Sequence, residues 1–214
     1  MKVKDIKNRV TLLNVAASLF MQIASVISAL IVPRLILETF GSSTNGLVSS
    51  ISQFLNYITL VEGGITGVIS ANLYKPLVDG DNKKLSSVLT TARSFYRKIG
   101  VLFIGYSVVL GVVYPFFVDT DYEYWYVFAL TLTLSIGLML QYMFSLTFTT
   151  LLNADKKVYI VAFTGTVLTI ANIILTLVVV NVYPDIIVLK FASAILFVLQ
   201  PIFYGLYINC LLYT

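Results

Sequence analysis

The chain has 214 residues, of which 58% are hydrophobic and only 11% charged, with a formal net charge of +4. A soluble domain carries roughly 25% charged residues, so this chain lacks the polar surface to coat one, and its charges lie between long apolar runs. The composition excludes an ordinary soluble enzyme and argues against a nucleic-acid-binding surface. It predicts an all-α integral membrane protein that crosses the bilayer several times.

In chain order, the apolar runs predict six transmembrane helices at about residues 10–32, 46–71, 99–118, 125–148, 158–182 and 186–212. Each covers about 30 Å of hydrocarbon at about 1.5 Å per residue, and none shows the alternation of a barrel strand. The first run is longer than a signal-peptide core and lacks a small-x-small cleavage site, so it reads as a retained helix. Pro33, Pro115 and Pro184 fall at or near helix ends, where a missing amide hydrogen matters least. Tyr122, Tyr124, Trp125 and Tyr126 mark an interface at the start of the fourth run.

The connection over 72–98 is the one long enough to hold structure. Asp79-Gly80 is a turn signal. After it, Leu85, Val88, Leu89, Ala92, Phe95, Tyr96 and Ile99 share a helical face, with Lys84, Arg93 and Arg97 on the other side. This predicts an amphipathic helix along the membrane surface leading into span three. Arg93 and Arg97 are four apart and so share a face; they, and Arg34, are candidates for contact with lipid or with a substrate phosphate.

Sorting the lysines and arginines by connection gives an orientation. Lys2, Lys4, Lys7 and Arg9 precede span one; Lys75, Lys83, Lys84, Arg93, Arg97 and Lys98 follow span two; Lys156 and Lys157 follow span four. These twelve of fourteen fall on one side, leaving only Arg34 and Lys190 on the other, together with Glu38, Asp119, Asp121, Glu123 and Asp185. The positive-inside rule then places both termini in the cytoplasm.

The spans are not uniformly apolar. Thr11, Asn14, Ser18, Gln22 and Ser25 recur every three or four residues, as do Ser52, Asn56, Thr59, Gly63, Thr66 and Ser70 in span two. Gly165, Thr169, Asn172 and Thr176 do so in span five, and span six offers Lys190, Ser193, Gln200 and Tyr204. Such spacing gathers polar atoms on one face of each helix. Close helix packing explains small and hydroxylated residues; the amides Asn14, Gln22, Asn56 and Asn172 fit a water-filled cavity better, and both readings stand at this point.

Glu62 is the single acid deep within a span, followed by Gly63 and Gly64 and then Gly67. A charge near the bilayer centre costs at least about 2.5–3.5 kcal/mol, and intramembrane acids usually face a cavity or a partner. Glu62 is therefore a candidate titratable or ion-pairing group with the glycines loosening the helix beside it, or else a protonated residue bonded to a neighbouring helix. No phosphate-binding loop occurs, histidine is absent, and only one acid lies within the membrane, so no catalytic residue, resident cofactor or usual metal site is expected. Asp119, Asp121 and Glu123 are read as a solvated loop rather than a cation site.

Several features together resemble bacterial polysaccharide-unit flippases of the multidrug, oligosaccharidyl-lipid and polysaccharide exporter superfamily. They are Gly41 and Gly46 after span one, Glu62-Gly63 in span two, "LYKPL" followed by acids and lysines, "FYRKIG" entering span three and "LLNADKKVYI" between spans four and five. The resemblance implies two six-helix lobes forming a V about a central cavity, through which polyprenyl-diphosphate-linked oligosaccharides cross by alternating access. It makes this chain the N-terminal lobe alone, where members have twelve to fourteen spans. It implies lipid-linked oligosaccharide, membrane lipids and polysaccharide-assembly proteins such as a polymerase as partners. Two other readings remain: a multidrug cation antiporter coupled to H⁺ or Na⁺ through Glu62, and a non-transporting partner of a polysaccharide synthase complex.

Overall fold

The structure, a computed structural model, describes residues 2–118 and 122–212, with side chains from residue 8 to 208 apart from Val61 and 119–121. Asp119 and Asp121 therefore lie outside the described residues. The elements are α1 (Lys2–Asn56), α2 (Ile58–Asp79), α3 (Asn82–Phe117), α4 (Tyr124–Leu140), a π-helical turn (Gln141–Ser145), α5 (Leu146–Ala154), α6 (Val158–Val182) and α7 (Ile186–Leu212). No strand occurs among the described residues. Five helical stretches are long and apolar enough to cross a membrane: Asn8–Asp79, Asn82–Phe117, Tyr124–Ala154, Val158–Val182 and Ile186–Ile208.

Exposed apolar side chains cover the outside of these helices. Leu30, Phe116 and Phe117 are 70%, 75% and 84% exposed. A soluble protein rarely leaves large contiguous patches of this kind bare, whereas lipid tails solvate them at no cost. Predicted spans five and six coincide with α6 and α7. The first two are joined differently from the expectation. Helical structure runs through the short connection, and the only non-helical backbone inside α1 is Gly41, at φ 84° and ψ 172°. That φ suits glycine, which has no Cβ to clash, so α1 is two helical segments that meet at a kink at Gly41. A second interruption follows at Tyr57, where i→i−3 bonds (Tyr57 N to Phe54 O, Leu60 N to Tyr57 O) replace the usual pattern.

The amphipathic segment is likewise no separate surface helix: it is the N-terminal part of the continuous 36-residue α3. Gly80, in the left-handed region at φ 67°, closes α2, and Asp81 caps α3 by accepting from the Lys84 backbone N–H at 3.0 Å. Its apolar face is buried as the periodicity predicts, with Ala92, Tyr96 and Ile99 inside and Lys84, Arg93 and Arg97 exposed. Nothing in the backbone from Ser86 to Phe117 breaks the helix, so the apolar face simply continues into the span.

Packing sorts the helix ends into two groups. Asn14 of α1 bonds the turn at Lys156, and Leu77 and Asn82 share a cavity with Asp155, Lys157 and Tyr207. At the other end Thr44 bonds Tyr122, whose ring stacks on Tyr126 at 5.1 Å. The connections that carry Lys75, Lys83 and Lys84, and Lys156 and Lys157, thus meet at one end, as the charge count requires. Between the ends lies one core of Ile51, Leu55, Tyr96, Phe103, Val127, Leu130 and Tyr142, contributed by α1, α3, α4 and the π-helical turn.

Candidate functional site

On the first half of α2, Ile58, Glu62, Ile65, Thr66, Ile69 and Ser70 are partly buried, whereas Leu60, Gly63, Gly64, Gly67 and Val68 are exposed. At 100° per residue these are opposite faces. Glu62 therefore turns toward the interior, on the side of Thr66 and of Tyr142 in the π-helical turn. These neighbours lie within this chain, which suits the reading of Glu62 as a residue that meets a neighbouring helix.

The Glu62 carboxylate interacts with the hydroxyls of Tyr142 and Thr66. The Tyr142 contact is loose, since the buried Tyr142 Oη has no partner within hydrogen-bonding distance among the described residues. A carboxylate beside it acts on it electrostatically without a closed bond. Thr66 continues inward: its Oγ1 lies 2.9 Å from Tyr96 Oη, which lies 3.1 Å from Thr150 Oγ1. Thr150 in turn donates to the Leu146 carbonyl at 2.7 Å. Tyr96 is fully buried and Thr150 and Tyr142 nearly so. A connected line of hydroxyls, Thr66, Tyr96 and Thr150, thus runs beside Glu62 across α2, α3 and α5.

Tyr142 reaches Glu62 because of two local features. The π-helical turn Gln141–Ser145 inserts an extra residue into the α4–α5 span, a device frequent at functional sites. Gly100 of α3 lets that turn approach: a Cβ there would meet Met143 Cγ at 3.0 Å. The Tyr142 ring also packs on Phe103 with centroids 5.7 Å apart. Sequence reasoning missed Tyr142, Thr150 and the relay. The polar pair Gln141-Tyr142 inside span four was the available signal; nothing in the sequence gives the π-helical register.

The other candidates separate into groups. Gly63, Gly64 and Gly67 have nothing within 4 Å of a hypothetical Cβ, so close packing within this chain does not account for them. Asn14 does not fit the cavity reading. Its Nδ2 donates to the Lys156 carbonyl at 2.7 Å and its Oδ1 accepts from the Tyr159 N–H at 2.9 Å, tying α1 to the start of α6. Gln22 is exposed and without a hydrogen-bond partner among the described residues, and Asn56 is exposed at the α1–α2 interruption. Asn172 has a buried Oδ1 with no hydrogen-bond partner among the described residues. Arg34 forms an exposed pair with Glu38 at 2.8 Å, whereas Arg93 lines a cavity of about 520 Å³ and Arg97 does not.

Comparison of the chain with protein-family models, with curated proteins and with solved structures gives no match.

Proposed function

We propose that this chain is a six-span lobe of a membrane exporter that moves polyprenyl-diphosphate-linked oligosaccharides by alternating access, in a bacterial cytoplasmic membrane with both termini inside. In this reading the 72-residue stretch Asn8–Asp79 crosses twice, with Gly41 at the far end. The observation that carries the reading is Glu62: a carboxylate inside an apolar helix, seated against a π-helical turn and a line of hydroxyls. Neither lipid anchoring nor scaffold assembly needs such an arrangement, whereas a transporter needs a group that changes charge or hydrogen bonding between states. The uncovered glycine face of α2 gives the second element, a backbone surface open to a path or to a second lobe.

A cation antiporter is the second reading, and one feature favours it: hydroxyls, not lysine or arginine, are what contact Glu62. That leaves its charge free for H⁺ or Na⁺.

The test is transbilayer movement of a fluorescent polyprenyl-diphosphate oligosaccharide in liposomes, measured by quenching from outside. The wild-type chain accelerates it, and Glu62→Gln, which keeps shape but removes charge, lowers the rate at least about tenfold, or about 1.4 kcal/mol in barrier, with abundance unchanged. Unaltered flipping in Glu62→Gln contradicts the role of the charge. Cation uptake without flipping selects the antiporter.

A further inference from the structure

The cavity beside Arg93 is separate from the Glu62 site and has its own chemistry. Its walls come from α3 at positions 82, 85, 86, 89, 90 and 93, a single helical face, and from the π-helical turn and α5. At about 520 Å³ it lies within the range of roughly 300–1,000 Å³ typical of small-molecule sites. Leu85, Leu89, Phe148 and Leu151 make it mainly apolar. Arg93 and Lys157 are its cations and Asp155 its one acid. Asp155 is already neutralised by Lys157 at 2.6 Å, and Arg93 has no hydrogen bond or ion pair among the described residues. The result is an apolar slot with one uncompensated guanidinium, at the end of the bundle where the basic connections meet.

That pairing defines its ligand. An apolar molecule alone would leave Arg93 unmatched, and a free phosphate alone would leave the leucine and phenylalanine walls wet. We propose that the cavity binds an anionic phospholipid of the same leaflet, with the phosphate on Arg93 and an acyl chain between Leu89 of α3 and Phe148 and Leu151 of α5. A guanidinium suits this role because its planar donor fork matches two phosphate oxygens at once, and the leaflet facing the basic loops is the one rich in anionic lipid. Arg97 shares the exposed side of α3 but not the cavity, so it serves as a matched control of equal charge. The proposal does not rest on the transport reading.

The experiment measures lipid retained by the purified full chain in native mass spectrometry, after titration with phosphatidylglycerol or phosphatidylcholine. Wild-type protein retains phosphatidylglycerol in preference to phosphatidylcholine, and excess inorganic phosphate does not displace it. Arg93→Gln lowers phosphatidylglycerol affinity about tenfold, equivalent to about 1.4 kcal/mol, while Arg97→Gln leaves it unchanged. Leu89→Trp and, independently, Thr147→Phe fill the slot without altering charge and lower retention too; helix content and elution volume verify that each variant is folded. Equal loss in Arg93→Gln and Arg97→Gln would show diffuse surface attraction and overturn the site. Full retention in both slot-filling variants, or displacement by inorganic phosphate, overturns the acyl-chain component and with it the proposal.

Discussion

The seam between α1 and α6 and the glycine face of α2 have the same sequence pattern and opposite physical outcomes. Both repeat small or polar residues every three or four positions. On the seam, the Gly165 position is filled by the partner helix: a Cβ there would meet Met21 Cε at 3.0 Å. Asn14 adds two hydrogen bonds across the same pair of helices. On α2, Gly63, Gly64 and Gly67 meet nothing. Periodicity alone collects such residues on a face; whether the face is a joint or an opening depends on what the rest of the chain places opposite it.

The largest expected effect breaks the seam while sparing the opening. Gly165→Leu forces the Met21 side chain out of its place on the seam and destabilises the protein by about 1–3 kcal/mol. Gly67→Leu has open space and leaves thermal stability in detergent unchanged. A similar loss in both would erase the contrast.

Next comes the polar clamp. Asn14→Ala leaves the Lys156 carbonyl and the Tyr159 N–H without their partner and costs about 1–3 kcal/mol, whereas Gln22→Ala on the same helix costs nothing measurable by thermal unfolding. If the two are equal, the clamp is not a stabilising contact.

The clamped turn also holds Lys156 at φ 60°, a left-handed conformation that strains a residue bearing a Cβ. Lys156→Gly, in a protein with Asn14 intact, therefore raises stability by about 1 kcal/mol. A loss of stability would mean that the lysine side chain contributes more than its backbone costs.

The smallest effect lies outside the membrane at the α2–α3 turn. Accepting the Lys84 N–H holds the Asp81 carboxyl below its ordinary value, with Lys84 Nζ at 3.2 Å adding to it. A carboxyl lowered on folding stabilises above its unfolded pKa of about 3.9 and loses that contribution as pH falls through the folded value. Amide exchange at Lys84, corrected for intrinsic rate, is thus flat from neutral pH to about 4 and quickens only below. Asp81→Ala quickens it a few-fold at neutral pH, and Asp81→Asn, which keeps an acceptor, does so less.

Much of this was legible in the sequence for identifiable reasons. α6 and α7 were readable because their apolar runs begin after Lys156-Lys157 and are separated by Pro184-Asp185. The Gly80 turn and the buried face of α3 follow from local chemistry and period. The direction of Glu62 was not legible, since a stripe at three-and-four spacing covers only part of a helix and Glu62 lies near its edge. Deciding it needed the π-helical turn, whose one-residue insertion leaves no compositional mark. The Asn14 clamp was not legible, because an amide four residues inside a span looks the same whether it faces water or a turn 142 residues away.

If the chain is a transporter lobe as proposed, the α2 glycine face lines a water-filled path, while equally exposed apolar surface elsewhere faces lipid. The direct measurement is thiol labelling in membranes, in a Cys210→Ser background, with a small hydrophilic reagent at Gly63→Cys, Gly67→Cys and Val167→Cys. Val167 of α6 is 46% exposed and sits on an apolar surface, so its cysteine reacts slowly, because a thiol in lipid does not ionise. The account predicts fast modification at Gly63→Cys and Gly67→Cys. Uniformly slow labelling at all three positions would contradict it, by showing the glycine face to be covered by lipid.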